Sequence, residues 1–312
     1  MKRSLIAVAA MSLAGLAAAQ SSVTLYGIAD YWVGNVKSVG STTGSGGLLG
    51  SRWGVKGTED LGGGLNAGFL FEQGINLATG ATAGGFNRQA YLSLGGDFGE
   101  VKFGNVFTPL DDIIGSANSG FDSILSATSG VWVGYNSNPF SQVYYSTPDF
   151  AGFNAAVSRN LNGDSSTAVT SMRLNYANGP IYAGFSHQTD KQSNPGFNVK
   201  HTLLNGSYDL GVVKLLASVR NVTNPDSGAD KARELQVGLD VPLNDFLTLS
   251  AGYANSSDKT AGVEVADRQG LGLAFTYALS KRTTVYGGVQ QAKEKLADTK
   301  DRLVAVGINH KF

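Results

Sequence analysis

From Ser22 to its last residue the chain is written in short runs where a large apolar side chain takes every second position. In "RELQVGLDV" Leu235, Val237, Leu239 and Val241 alternate with Gln236, Gly238 and Asp240, and in "RQGLGLAFTYAL" Leu271, Leu273, Phe275 and Tyr277 alternate with Gly270, Gly272, Ala274 and Thr276. "VVKLLASVR" and "LTLSAGY" read the same way. A period of two marks strands whose two faces meet different surroundings. Helices are hard to place beside so much alternation, and the fold class is all-β.

Counting such runs gives about sixteen segments. They fall near residues 22–32, 50–58, 64–74, 86–95, 99–106, 141–147, 152–160, 168–177, 180–188, 200–209, 212–222, 232–241, 247–256, 267–277, 282–292 and 301–312. The links between them alternate in length. "EDLGG", "GGDFG", "TPDFAG", "ANGP", "DLG", "VPLNDF" and "ALSKR" are short, whereas the others, such as "GNVKSVGSTTGSGGLLG", are longer and rich in Gly, Ser, Asn and Thr. An antiparallel up-and-down meander puts every second connection at the same end, which gives one end of tight turns and one of long loops.

Two solvents could take the apolar sets. A soluble sandwich buries them between two sheets and turns Lys- and Glu-rich sets to water. Here the polar sets are mostly Gly, Ser, Thr, Asn and Gln, and the chain is only 15% charged, with 42 glycines in 312 residues; ordinary domains carry about 25% charge and about 7% glycine. A transmembrane barrel reverses the sandwich, with apolar residues against lipid, small polar residues inside, and closure removing every unpaired edge. Phe98, Tyr176, Tyr208, Phe246, Tyr277 and Phe312 fall beside the short turns or at the terminus, where an aromatic girdle belongs. With about sixteen strands the barrel is too wide for side chains to fill and leaves a water channel.

The first residues, "MKRSLIAVAAMSLAGLAAAQ", have two cations, a short apolar run and a small-residue stretch. That is the form of a secretory signal peptide, 1–19, cleaved before Gln20. It leaves a single barrel domain, 20–312, destined for the outer membrane. Removing Lys2 and Arg3 from 24 basic residues leaves 22 against 24 acidic, a balance of −2. Nothing in that balance suggests a nucleic-acid partner. The absence of cysteine rules out disulfides, thiolate metal ligands and a cysteine nucleophile. No cluster of His, Asp and Glu has the spacing of a metal site, and no cofactor motif is present: "DLGGGLNAG" lacks the helix and lysine of a phosphate loop and reads as a tight turn.

The longest connection runs from Phe107 to Phe140, and its Leu110, Ile113, Ile114, Phe121, Ile124, Leu125, Val131 and Trp132 are too apolar for a solvated tether. A connection of this length is functional or disordered, and the lumen has room for it. An enzyme would need a nucleophile beside a supported histidine. His310 falls on the lipid-facing set, and His187 and His201 lie near strand ends with no recognisable partner. Catalysis is therefore the weaker reading, as are a substrate-specific channel, for which no repeated ladder of side chains is visible, and a structural or adhesin barrel, for which no plug domain is spare.

The segments "SSVTLYGIAD", "GSRWGVKGTEDLGGGLNAGF", "FNRQAYLSLGGDFGEVKFGN", "SYDLGVVKL", "LSKRTTVYGG" and "VAVGINHKF" resemble those of Gram-negative general diffusion porins of the betaproteobacterial type, in order along the mature chain. The resemblance implies a homotrimer of sixteen-stranded barrels with the third extracellular loop folded into the lumen. It implies passage of ions and small hydrophilic solutes, and surroundings of outer-membrane lipid and lipopolysaccharide. It also makes the terminal Phe312 the signal read by the barrel assembly machinery.

Selectivity should come from charge at the narrowest point. Alternation puts Arg52 and Lys56 opposite Trp53 and Val55, Arg88 opposite Gln89 and Tyr91, and Lys102 opposite Val101 and Phe103. Arg52 and Arg88 match the wall arginines of the family. Asp111, Asp112 and Asp122 on the long loop, with Glu72 on the neighbouring strand, are the carboxylates expected to face them. Tyr144 stands where the family often has an arginine, so a lumen charge is exchanged there for a hydroxyl.

Overall fold

The computed structural model describes residues 22–82, 84–161, 168–191, 198–225 and 228–312, and the expected signal peptide lies outside them. The strands are β1 (Ser22–Val36), β2 (Gly40–Ser45), β3 (Arg52–Gly62), β4 (Leu65–Gly74), β5 (Gln89–Gly96), β6 (Gly99–Asn105), β7 (Gln142–Ser146), β8 (Phe153–Asn160) and β9 (Val169–Asn178), then β10 (Ile181–Asp190), β11 (Val199–Asp209), β12 (Lys214–Thr223), β13 (Lys231–Pro242), β14 (Leu247–Thr260), β15 (Val263–Ala278), β16 (Thr283–Glu294) and β17 (Thr299–Lys311). Except for β2 and β3, which both pair with β1, each pairs antiparallel with its neighbour in sequence, and β17 returns to β1 to close the sheet. Closure extends to the last residue, because Gly27 N donates to Phe312 O at 3.0 Å and Phe312 N to Gly27 O at 3.1 Å.

The wall has sixteen spanning positions and one extra strand, because β2 and β3 share a place beside β1. Tyr31–Val36 of β1 pairs with β2, and Ser22–Ile28 pairs with β3. Between them residues 46–51 leave the ladder. The sequence signal for β2 was hidden inside a Gly- and Ser-rich link with no apolar alternation. β14 and β15 run on past the expected ends 256 and 267 to a tight turn at Ala261 and Gly262, both at positive φ, and Ser257 Oγ donates to Glu264 Oε1 across the extension.

Burial follows the alternation. Leu204, Leu235 and Leu273 are exposed, at 61%, 41% and 63%, while Gln188, Ser218, Glu234, Gln236 and Ser256 are buried. A water-soluble wall could not leave so continuous an apolar set uncovered; lipid is its solvent. Phe98, Tyr208, Phe246, Tyr277 and Phe312 are exposed near the short turns, and Tyr176 stacks on Phe153 at 4.6 Å, as a girdle requires.

One face assignment is reversed. Leu92 and Leu94, not Tyr91, are the exposed residues of β5, and Tyr91 packs with Val106, Tyr144 and Ala156 on the polar face. Gln89 shares that face, being opposite Glu72 in register. Arg88 reaches it too, because it precedes β5 and escapes the alternation of the strand.

The connection between β6 and β7 begins with a short helix, α1 (Pro109–Ile114), with Thr108 as its cap: Asp111 N donates to Thr108 Oγ1 at 3.3 Å. The connection follows the polar face of the wall. Leu110 N donates to Ser171 Oγ, Asn205 Nδ2 to Ile113 O, Gly120 N to Ser250 Oγ, and Gln290 Nε2 to Ser129 O. Further contacts join Ile124 N to Gly47 O and Asn138 Nδ2 to Arg88 O. The approach is close enough to demand glycine in the wall: a Cβ on Gly252 would stand 1.9 Å from Ser119 Oγ, and one on Gly270 1.9 Å from Ala127 O.

Candidate pore constriction

Four of the expected charges come together around one strand pair. Glu72, 5% exposed on β4, lies between two guanidinium groups: Arg88 Nε donates to Oε1 at 2.7 Å, and Arg52 Nε is 3.4 Å from Oε2. Glu72 therefore sits with the arginines and not across from them. Tyr26 OH donates to Glu72 Oε2 at 2.8 Å, and Lys56 Nζ lies 5.3 Å above the Tyr26 ring. Arg88 also covers the Phe107 ring at 5.3 Å, which ties the basic cluster to the start of the long connection. With one carboxylate shared by two arginines and Lys56 beside them, this side keeps excess positive charge.

Lys102 sits apart from that cluster. It pairs with Glu100 at 3.2 Å and lies 5.2 Å from the rings of Tyr91 and Tyr144. Tyr144 is buried, and its hydroxyl donates to Asp112 Oδ2 at 2.6 Å. The same carboxylate accepts from Arg173 Nε at 2.9 Å. Arg173 was not singled out from the sequence. Its guanidinium also reaches the Tyr144 hydroxyl at 3.4 Å, so a positive charge stands beside the position where the family often has arginine, but it is paired with an acid.

The other loop carboxylates have neutral partners. Tyr135 OH donates to Asp111 Oδ1, and Asn118 Nδ2 to Asp122 Oδ1, each at 2.6 Å. Burial pushes Asp111 up to about 6, with Asp112 and Asp122 adding to the shift, while the Tyr135 hydrogen bond and Arg88 hold it back. Burial raises Asp122 as well. A raised carboxylate is charged above its folded value and costs stability there; that cost is relieved as pH falls from about 6 toward its ordinary value of 3.8. Lowering pH from 7 to 5 is therefore expected to remove negative charge from the loop and to shift the zero-current potential toward anion preference. A flat profile in that window would show that Asp111 does not act on the permeating ions.

Two histidine assignments also change. His187 is not without partners: Nδ1 is 2.9 Å from Thr202 Oγ1 and Nε2 is 3.4 Å from Thr189 Oγ1, on the face shared with Phe185. His201 is buried 3.8 Å from Asp190.

The sequence profile of a family described as Gram-negative porin matches residues 4–297. The chain belongs to that family. This porin is 32% identical to the outer membrane porin protein 32 of Delftia acidovorans, over 96% of its own length and 92% of the relative's. It is 30% identical to a major outer membrane protein P.IB of Neisseria meningitidis, over the whole of both chains. Among solved structures it superposes on an anion-selective porin from Comamonas acidovorans with a TM-score of 0.82 and 28% identity, covering 94% of this chain and 100% of that one. The porin is an outer-membrane channel for passive diffusion of ions and small hydrophilic solutes.

Proposed function

We propose that the connection between β6 and β7 is folded into the lumen and narrows it, with Arg52, Arg88 and Lys56 on the wall side of the eyelet and Asp111, Asp112 and Asp122 on the loop side. What supports this reading most is that one segment bonds to polar-face residues of β9, β11, β14 and β16 and also to residues 47 and 88. A position inside the closed cylinder accounts for one connection reaching strands so far apart. Opposed charge across the gap creates a transverse field that orients polar solutes and disfavours apolar ones. Lys102, Glu72 and Tyr144 serve beside it. Lys102 adds positive potential toward the short-turn end, Glu72 spaces the two arginines, and Tyr144 with Arg173 holds Asp112.

In the cell the channel is a homotrimer bounded by lipid and lipopolysaccharide, exported with residues 1–19 removed. It is delivered by the barrel assembly machinery, which reads Phe312 at the end of the closing strand. We read it as a channel and not an enzyme, a reading supported by its porin family and by relatives named as porins.

The test is a salt-gradient measurement on single channels. Arg52→Ala with Arg88→Ala is expected to leave Glu72 unneutralised and to move the zero-current potential several-fold in permeability ratio toward cations; Glu72→Gln should move it the other way. Unchanged potentials in both would take these residues out of the constriction.

A further inference from the structure

We propose that residues 46–51, where the chain leaves the wall between β2 and β3, are a spacer between the loop side and the arginine side of the eyelet, and that Gly50 sets how large an anionic solute the passage admits. The inference rests on the eyelet proposed above and assigns its size limit to one position.

The stretch is fastened to Asp30 at both ends. Gly46 N donates to Asp30 O at 2.9 Å, Asp30 N donates to Ser51 Oγ at 3.0 Å, and the Asp30 carboxylate takes the amides of residues 47–49 in between. Held in this way, it offers one carbonyl to each side. Ile124 N of the long connection donates to Gly47 O at 3.0 Å, and Arg52 Nη1 donates to Gly50 O at 3.1 Å. An extended residue spans no more than about 3.6 Å, so the α-carbons of Gly47 and Gly50 stand at most about 11 Å apart. The loop and the arginine pair are therefore tied to two nearby points on one short, buttressed piece of backbone.

The glycines of this stretch answer to different constraints. Gly46 turns the chain at a φ of 76°, and a Cβ on Gly47 would run into the Tyr286 hydroxyl. Gly50 has neither reason to be glycine: it is not at positive φ. The three atoms nearest to a Cβ at Gly50 would all belong to the two guanidinium groups, with Arg88 Nη1 at 3.2 Å and Arg52 Nη1 at 3.8 Å. The first distance is closer than ordinary van der Waals contact, and Arg88 can yield only by moving a head group that is bonded to Glu72. The side chains of Arg52 and Arg88 are 19% and 26% exposed, so a head group pushed away from Gly50 takes its room from the passage. A bulky anion loses that room before chloride does.

The test is the permeability of gluconate relative to chloride, read from bi-ionic reversal potentials on the folded protein in planar bilayers. The ratio is expected to fall about twofold in Gly50→Ala and further, several-fold, in Gly50→Val. Stepwise current in potassium chloride shows that each variant is folded and inserted, and Gly50→Ser supplies an intermediate size should the valine variant not insert. In the Arg88→Ala background Gly50→Val should cost far less, because the head group that it displaces is absent. Gly74→Ala, whose Cβ would stand 3.7 Å from Arg88 Cδ in ordinary contact, should keep the parent ratio. A parent-like ratio in every Gly50 variant, an equal fall with and without Arg88, or an equal fall in Gly74→Ala would each overturn the inference. The eyelet is tested apart from it. If Arg52→Ala with Arg88→Ala shifts the zero-current potential while the Gly50 variants behave as the parent, the spacer fails and the eyelet stands; no shift in the double arginine variant takes both down.

Discussion

Glu234→Ala is expected to destabilise the barrel by roughly 3–5 kcal/mol, the usual cost of removing one partner from a buried ion pair. Arg220 and Glu234 are 1% and 0% exposed and face each other from β12 and β13. Each also holds the long connection: Val133 N donates to Glu234 Oε1 at 2.6 Å, and Arg220 donates to Val133 O. The pair thus offers the loop backbone both a donor and an acceptor, as a neighbouring strand would. Trp132 and Tyr135 lie 5.1 and 5.9 Å from the guanidinium, and Tyr135 in turn donates to Asp111. Losing Glu234 leaves a buried cation and frees Val133, so two readouts should move together. The unfolding midpoint in denaturant should fall, and the steady single-channel current should become noisy. A fall in stability with a quiet current would mean that the loop is held without this clamp.

Asp30→Ala should be comparably damaging, for a different reason. The Asp30 carboxylate is fully buried and accepts from Gly47 N at 2.7 Å, Leu48 N at 3.2 Å, Leu49 N at 3.0 Å, Tyr286 OH at 2.6 Å and Asn309 Nδ2 at 2.8 Å. Alanine would orphan all these donors where water is scarce, at about 1–3 kcal/mol each before relaxation. Asn would restore one acceptor and turn a donor toward the others, so Asp30→Asn should recover less than half of the loss. Folded yield and denaturant midpoint check this. Near-parent stability in the alanine variant would show that residues 46–51 are held by their apolar contacts alone, chiefly Leu48 against Trp32 and Tyr286.

The barrel itself was legible because its signal is local. A period of two in Leu235–Val241 or Leu271–Tyr277 needs no knowledge of the partner strand, and the alternating link lengths give the meander. The same arithmetic puts Arg52 and Lys56 on one face, which they share with Glu72 and Tyr26. Arg88 was placed on the right face for the wrong reason, since a residue ahead of its strand does not obey the alternation. Arg173, Arg220, Glu234 and Asp30 were missed because their meaning lies in residues far along the chain: Arg173 meets Asp112 across 61 positions, and Asp30 meets Asn309 across 279. No window on the sequence contains both halves of such a pair.

That last separation has a consequence for timing. The amides that Asp30 gathers from residues 47 to 49 are close in sequence, but Tyr286 and Asn309 are supplied by the final strands, 256 and 279 residues away. The departure of the chain at residues 46–51, and the loop contact on Gly47, can be completed only once the first and last strands have met. A half-built sheet therefore has edges but not these contacts. With the eyelet proposed above, the passage takes its shape in the same event that seals the wall, so a barrel still open to the bilayer cannot yet discriminate among solutes.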